Sequence, residues 1–155
     1  ISSLPFDQDP TECAKGIVRE KLKWHNRTMN RRRDEAIRRG EAVENELVYH
    51  SDCSGMEFEQ LVKLALQAKG YQVRSTPVTG DQGVDLLADK HGVTIAVQCK
   101  RSSSPLGNKA IQEVTAGRIH YQVDEAWVVS DADYTAGARS LASTNSVKLV
   151  NFFTL

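Results

Sequence analysis

Long apolar runs are missing from this chain. No stretch approaches the ~20 residues needed to cross a bilayer, and no signal peptide is visible. Net charge is missing as well: 20 Lys and Arg balance 20 Asp and Glu, which taken alone argues against a nucleic-acid partner. Cysteine is scarce. Cys13, Cys53 and Cys99 show no CxxC spacing, and His50-x-x-Cys53 is half of a zinc pattern without its other half. Reduced thiols in a cytoplasmic protein are the expectation. There is no internal repeat and no low-complexity tract, so repeat arrays are excluded. What remains is a chain of 155 residues, enough for one domain of ordinary size plus an appendage.

The zero net charge hides an uneven distribution. Half of all Lys and Arg fall between Lys15 and Arg39, and from Glu41 onward acidic residues outnumber basic ones. Residues 1–50 read as a basic, mostly helical arm or linker: Asp9-Pro10 is a helix start, and the apolar residues beyond it are too sparse for a stripe of their own. Residues 51–155 read as the domain. The chain begins at Ile1 rather than methionine, so a further N-terminal module or membrane segment upstream is left open.

Within the domain the pattern switches between helical and strand periods. Ser54 caps GMEFEQLVKLALQAKG, whose Phe58, Leu61, Val62, Ala65 and Leu66 recur at helical spacing before the stop at Gly70. Tyr71–Thr76 reads as a strand, Val84–Ala88 as the next, and Asp89-Lys90-His91-Gly92 closes a hairpin onto Val93–Cys99. Asn108 is a candidate cap for a helix carrying Ile111, Val114 and Ile119. Glu125–Ser130 is a short apolar strand, Thr135 caps a helix to about Thr144, and Val147–Phe153 forms the last strand. The order α, three strands, α, β, α, β implies an α/β layered sheet.

One stretch carries chemistry, TGDQGVDLLADKHGVTIAVQCKR from Thr79 to Arg101. Strand side chains alternate, so Gln98 and Lys100 share one face and Cys99 points to the other. If the strand opened by Asp85 is the hairpin neighbour, its carboxylate meets that pair at the sheet end. A carboxylate, a second oxygen ligand and a lysine are the parts a metal-dependent phosphodiesterase needs. Singly, each residue has a plainer reading: acids in a Gly-rich turn bond their own backbone, a Glu in the first helical turn answers the helix dipole, and a strand-end lysine is solvated.

Taken together, GMEFEQLV, GYQV, TGDQGVDLLA, AVQCKR, GNKAIQEVTAGRIHY and EAWVVS with the following YTAGARSLA occur in one order. In that series the sequence resembles the Mrr-type branch of the PD-(D/E)XK nucleases, restriction-endonuclease-like proteins in which a glutamine replaces the usual acid of the ExK element. The resemblance covers roughly Gly55 to Val150. It implies a three-layer sandwich with a mixed central sheet and an active site of Glu59, Asp85, Gln98 and Lys100. Asp85, Gln98, Glu59 and the Cys99 backbone carbonyl would hold Mg²⁺, with Mn²⁺ as substitute, and no small-molecule cofactor is implied. The ion would polarise the scissile phosphate and acidify an attacking water, with Lys100 offsetting charge. Glu59 is expected to make up for the charge that Gln98 lacks; Asp81 and Glu57 are weaker candidates.

DNA is the implied partner. Lys109, Arg101 and Gln112 are the candidate DNA contacts, Lys109 beside the free N–H groups of a helix start. The function implied is a Mg²⁺-dependent DNA endonuclease of restriction, antiviral defence or DNA processing, with a homodimer as the natural way to cut both strands. The rivals are a non-catalytic DNA-binding module that keeps the fold and a resolvase or repair nuclease specific for branched or damaged DNA.

Overall fold

The computed structural model describes residues 38, 39, 49–77, 80 and 82–155. The helical reading of the basic arm and the candidate Asp81 lie outside the described residues. The chain divides into two units, Ile1–His50 and Ser51–Leu155, and the second contains the sheet.

Helix α1, Gly55–Ala68, begins with a reciprocal cap. Ser54 Oγ accepts from the Glu57 N–H at 3.2 Å, and the Glu57 carboxylate accepts from the Ser54 N–H at 2.6 Å. Glu57 is therefore committed to the helix start. Phe58, Leu61, Val62 and Leu66 form its buried face. After the C-cap Lys69, Gly70 takes φ +85°, the left-handed turn that ends the helix.

The chain then lays down β1 (Gln72–Ser75), β2 (Leu86–Lys90) and β3 (Val93–Lys100) as an antiparallel meander. The β2–β3 turn is only His91-Gly92, both at positive φ, the two-residue geometry whose twist suits a hairpin. This short turn sets Lys90 opposite Val93 and Leu86 opposite Val97. Helix α2 (Asn108–Tyr121) and helix α3 (Ala136–Thr144) are crossovers to β4 (Glu125–Ser130) and β5 (Val147–Asn151), each parallel to the strand before it. The sheet order is β1-β2-β3-β4-β5.

Leu87, Ala96, Ala126 and Val128 turn to one face and form the main core with Ala110, Ile111 and Val114 of α2 and Ala138 and Ala142 of α3. The alternate residues, among them Leu86, Ile95, Val97 and Val129, are buried on the other face, where α1 packs. The result is the three-layer α/β sandwich with a mixed sheet that the sequence implies. Tyr134 ties two strands together: its buried hydroxyl lies 2.9 Å from the carbonyl oxygens of both Val128 in β4 and Val150 in β5.

Element boundaries differ by a residue or two. The β2 strand ends later than read, because the turn consumes only two residues. The last strand stops at Asn151, whose side chain accepts from the Phe153 N–H at 2.9 Å and starts a short 3-10 turn. The N-cap of α2 is Gly107, which has no side chain to cap with, and Asn108 is already helical. Among the described residues no helix is long and apolar enough to cross a membrane.

Candidate active site

The site lies where one edge of the sheet gathers the C-terminal ends of β3, β4 and β5. Because β2 runs antiparallel to β3, its N-terminal end reaches that same edge. Extending the register from Leu86↔Val97 by one step sets Asp85 opposite Gln98. Directly opposed residues point to one face, and here the two side chains touch. The Asp85 carboxylate accepts from Gln98 Nε2 at 2.8 Å and, through the same oxygen, from the Cys99 backbone N–H at 2.6 Å.

Asp85 is held by its backbone as well. Its N–H donates to the Val97 carbonyl at 2.9 Å, and its carbonyl accepts from the N–H and hydroxyl of Thr76 at 3.0 and 3.1 Å. The turn before it sits on α2. Gly83, at φ +74°, is so close to the helix that a Cβ there would lie 2.7 Å from Glu113 Cβ and 2.8 Å from its carbonyl oxygen. One turn along α2, a Cβ at Gly117 would run into Val84 and into the Gln82 carbonyl. Two glycines thus let helix and turn meet, and that contact positions Asp85.

Lys100, on the same face two residues beyond Gln98, extends its ammonium to Glu113 Oε2 at 3.1 Å. Glu113 was not among the residues singled out from sequence. Gln112 was; it is exposed, and the neighbouring position on α2 is the one that faces the lysine. Lys109 lies 3.8 Å from the other Glu113 oxygen, yet its side chain is 88% exposed, so that contact is weak. Arg101 is exposed in the loop after β3, and buried Asp131 anchors that loop by accepting from the Ser102 N–H at 2.9 Å.

Glu59 is half-buried in α1. Burial first, then the Asp85 and Glu59 carboxylates, push the Cys99 thiol well above its ordinary value, and the Lys100 ammonium pulls it back. That pattern sets Asp85, Glu59 and Lys100 all within electrostatic reach of Cys99. The thiol itself stays protonated and buried on the far face.

Among the described residues no three His, Cys, Asp or Glu side chains cluster as a metal-holding group. The donors here are of a different kind, the carboxylates of Asp85 and Glu59 and the amide oxygen of Gln98. Gln98 is 4% exposed and its Oε1 is buried without a hydrogen-bond partner, an orphaned oxygen beside Asp85. A hard dication is the kind of group that satisfies such an oxygen, so Asp85, Gln98, Glu59 and the Cys99 carbonyl fit Mg²⁺ in chemical type. A groove of about 330 Å³ lined by Gln72, Arg74, Asp89 and Thr94 among others lies elsewhere on this unit.

A mixed sheet built as meander and then two parallel crossovers, with an acid opening one strand and Gln-x-Lys closing the next, defines a restriction-endonuclease-like protein. The chain belongs to the Mrr catalytic-domain family of restriction endonucleases, whose family model matches residues 50–155. No curated protein matches it at a significant level. Among solved structures, a protein of unknown function, AF1548, is similar with a TM-score of 0.51 and 18% identity over 61% of this chain. The MspJI restriction endonuclease, solved with a 27-mer oligonucleotide, aligns with a TM-score of 0.45 and 13% identity over 99% of this chain. The chain spans 58% and 33% of those two proteins' own lengths.

Proposed function

We propose that residues 51–155 are a Mg²⁺-dependent DNA endonuclease domain that hydrolyses phosphodiester bonds, with Mn²⁺ as a working substitute. The observation that carries this reading is the contact of Asp85 with Gln98 at the sheet edge, with the Lys100 ammonium on the same face. Bound there, the ion would neutralise the scissile phosphate and lower the pKa of an attacking water.

The chain's own residues do the rest. Asp85 and Glu59 provide the negative charge that holds a dication, and Gln98 provides a neutral oxygen whose burial excludes competing water. Lys100 offsets the charge that grows on the phosphate oxygens as the water oxygen bonds to phosphorus and the P–O ester bond breaks. The exposed Lys109 and Arg101 are suited to neighbouring phosphates, and α2 begins without an acidic residue or a side-chain cap, leaving its N–H groups available to an anion. The ten basic residues from Lys15 to Arg39 would add sequence-independent attraction as an arm. With one site per chain, two copies would cut the two strands, acting in the cytoplasm in restriction or DNA processing.

The test is plasmid cleavage in Mg²⁺. Wild type is expected to nick or linearise DNA, and Asp85→Ala and Lys100→Ala each to lower the rate by about two orders of magnitude or more. Cleavage that survives both substitutions defeats the site. Branched, modified and linear substrates in the same assay define which DNA is preferred.

A further inference from the structure

We infer that Glu113 is a positioning residue for Lys100: from α2 its carboxylate holds the lysine ammonium at the sheet edge. This rests on the nuclease reading above.

A lysine at a strand end carries its charge on a flexible four-carbon stem, and without an anchor the ammonium samples many positions. Glu113 Oε2 is that anchor, 3.1 Å from Lys100 Nζ and shielded from solvent. The ammonium is its ionic neighbour, and no aligned hydrogen bond competes for this oxygen. Its other oxygen lies 3.8 Å from the exposed Lys109.

The backbone of Glu113 is pinned independently. Gly83, two residues before Asp85, packs on its Cβ and carbonyl. One position of α2 therefore meets both arms of the site, the turn that delivers Asp85 through its backbone and the lysine through its carboxylate. The Glu113 carboxylate meets the lysine ammonium directly, at 3.1 Å, so its charge serves the lysine.

These two contacts can be separated. Glu113→Gln keeps Cβ and length, and so the packing on Gly83, while removing the charge. It is expected to lower kcat about tenfold or more, the usual scale for a residue that orients a functional group. Affinity for duplex DNA in EDTA should not weaken, since a released lysine is free to pair with phosphate, and calorimetric Mn²⁺ affinity should stay within about threefold of wild type. In single-turnover assays of the Lys100→Ala enzyme, adding Glu113→Gln should cost no more than about twofold, because the effect acts through the lysine.

A Glu113→Gln enzyme with wild-type kcat overturns the inference, as does one that loses Mn²⁺ affinity as Asp85→Asn does. A full loss repeated on the Lys100→Ala background overturns it too, since that is the signature of a merely structural role. Full activity in Glu113→Gln beside inactive Asp85→Ala and Lys100→Ala removes only the role of Glu113. Cleavage that none of the three alters, or no cleavage by wild type, removes the nuclease reading itself.

Discussion

Asp85 and Gln98 face each other across the β2–β3 hairpin, 2.8 Å from carboxylate oxygen to amide nitrogen. In the absence of a cation this pairing works because one partner is neutral. The Gln98 amide donates to the carboxylate, whereas a second carboxylate at that position would repel it.

Gln98→Glu should therefore behave oppositely with and without metal. In EDTA two carboxylates at this distance cannot both ionise at ordinary cost, and stability should fall by on the order of 1–3 kcal/mol. Saturating Mg²⁺ should restore most of the loss, so the Mg²⁺-induced rise in Tm exceeds that of wild type. Differential scanning calorimetry with and without Mg²⁺ reads both arms. An equal rise in the two proteins would mean that no cation is held between positions 85 and 98.

This pairing was legible in the sequence because local features decide it. The sequence closes the hairpin within Asp89–Gly92, and the period of two then assigns Gln98 and Lys100 to one face; the tighter turn, His91-Gly92 alone, comes from the structure and fixes the register. The Ser54 and Thr135 caps and the Glu125–Ser130 strand are equally local, and they stand where the pattern puts them. What sequence could not supply was contact between distant segments. Glu113 reads as an ordinary charge on a helix whose apolar stripe is weak, so the helix phase that turns it, rather than Gln112, toward Lys100 is visible only once α2 lies on the sheet. Gly83 looks like a turn glycine and Gly117 like a helix defect. Their shared purpose, close approach of the turn to the helix, has no signature at either position alone.

The opposite end of β3 should respond to pH. The Asp124 carboxylate accepts from the Thr94 N–H at 2.7 Å and from its hydroxyl at 2.9 Å, tying the entry of β4 to β3. The Thr94 backbone bond first, then its hydroxyl, hold the carboxyl below its ordinary value of 3.8. A depressed folded-state pKa stabilises the fold above the unfolded value, and that contribution is lost as pH falls through the folded one. Wild type should thus lose stability relative to Asp124→Asn on acidification below about pH 4, with no change in the difference between pH 6 and 8. Urea unfolding at pH 3, 4, 6 and 8 measures it; a constant difference across that range would show that the Thr94 bonds do not favour the ionised form.

Gly117 gives the sharpest test of how the fold positions the site, because general propensity and this particular contact predict opposite signs. Replacing a glycine inside a helix by alanine ordinarily stabilises by about 1 kcal/mol. At Gly117 the added methyl would meet Val84 and the Gln82 carbonyl, 2.8 Å away, and neither is a flexible side-chain end. Overpacking of this kind typically costs about 1–3 kcal/mol, so Gly117→Ala should be less stable than wild type. The strain falls on the segment that leads directly into Asp85, and cleavage per folded molecule should drop as well. Ala116, the neighbouring residue, is exposed, and Ala116→Gly provides the control, with the ordinary small helix penalty and full cleavage. Paired measurements of Tm and single-turnover rate decide the matter: a Gly117→Ala protein with raised Tm and unchanged rate would mean that the turn does not rest on α2 as described.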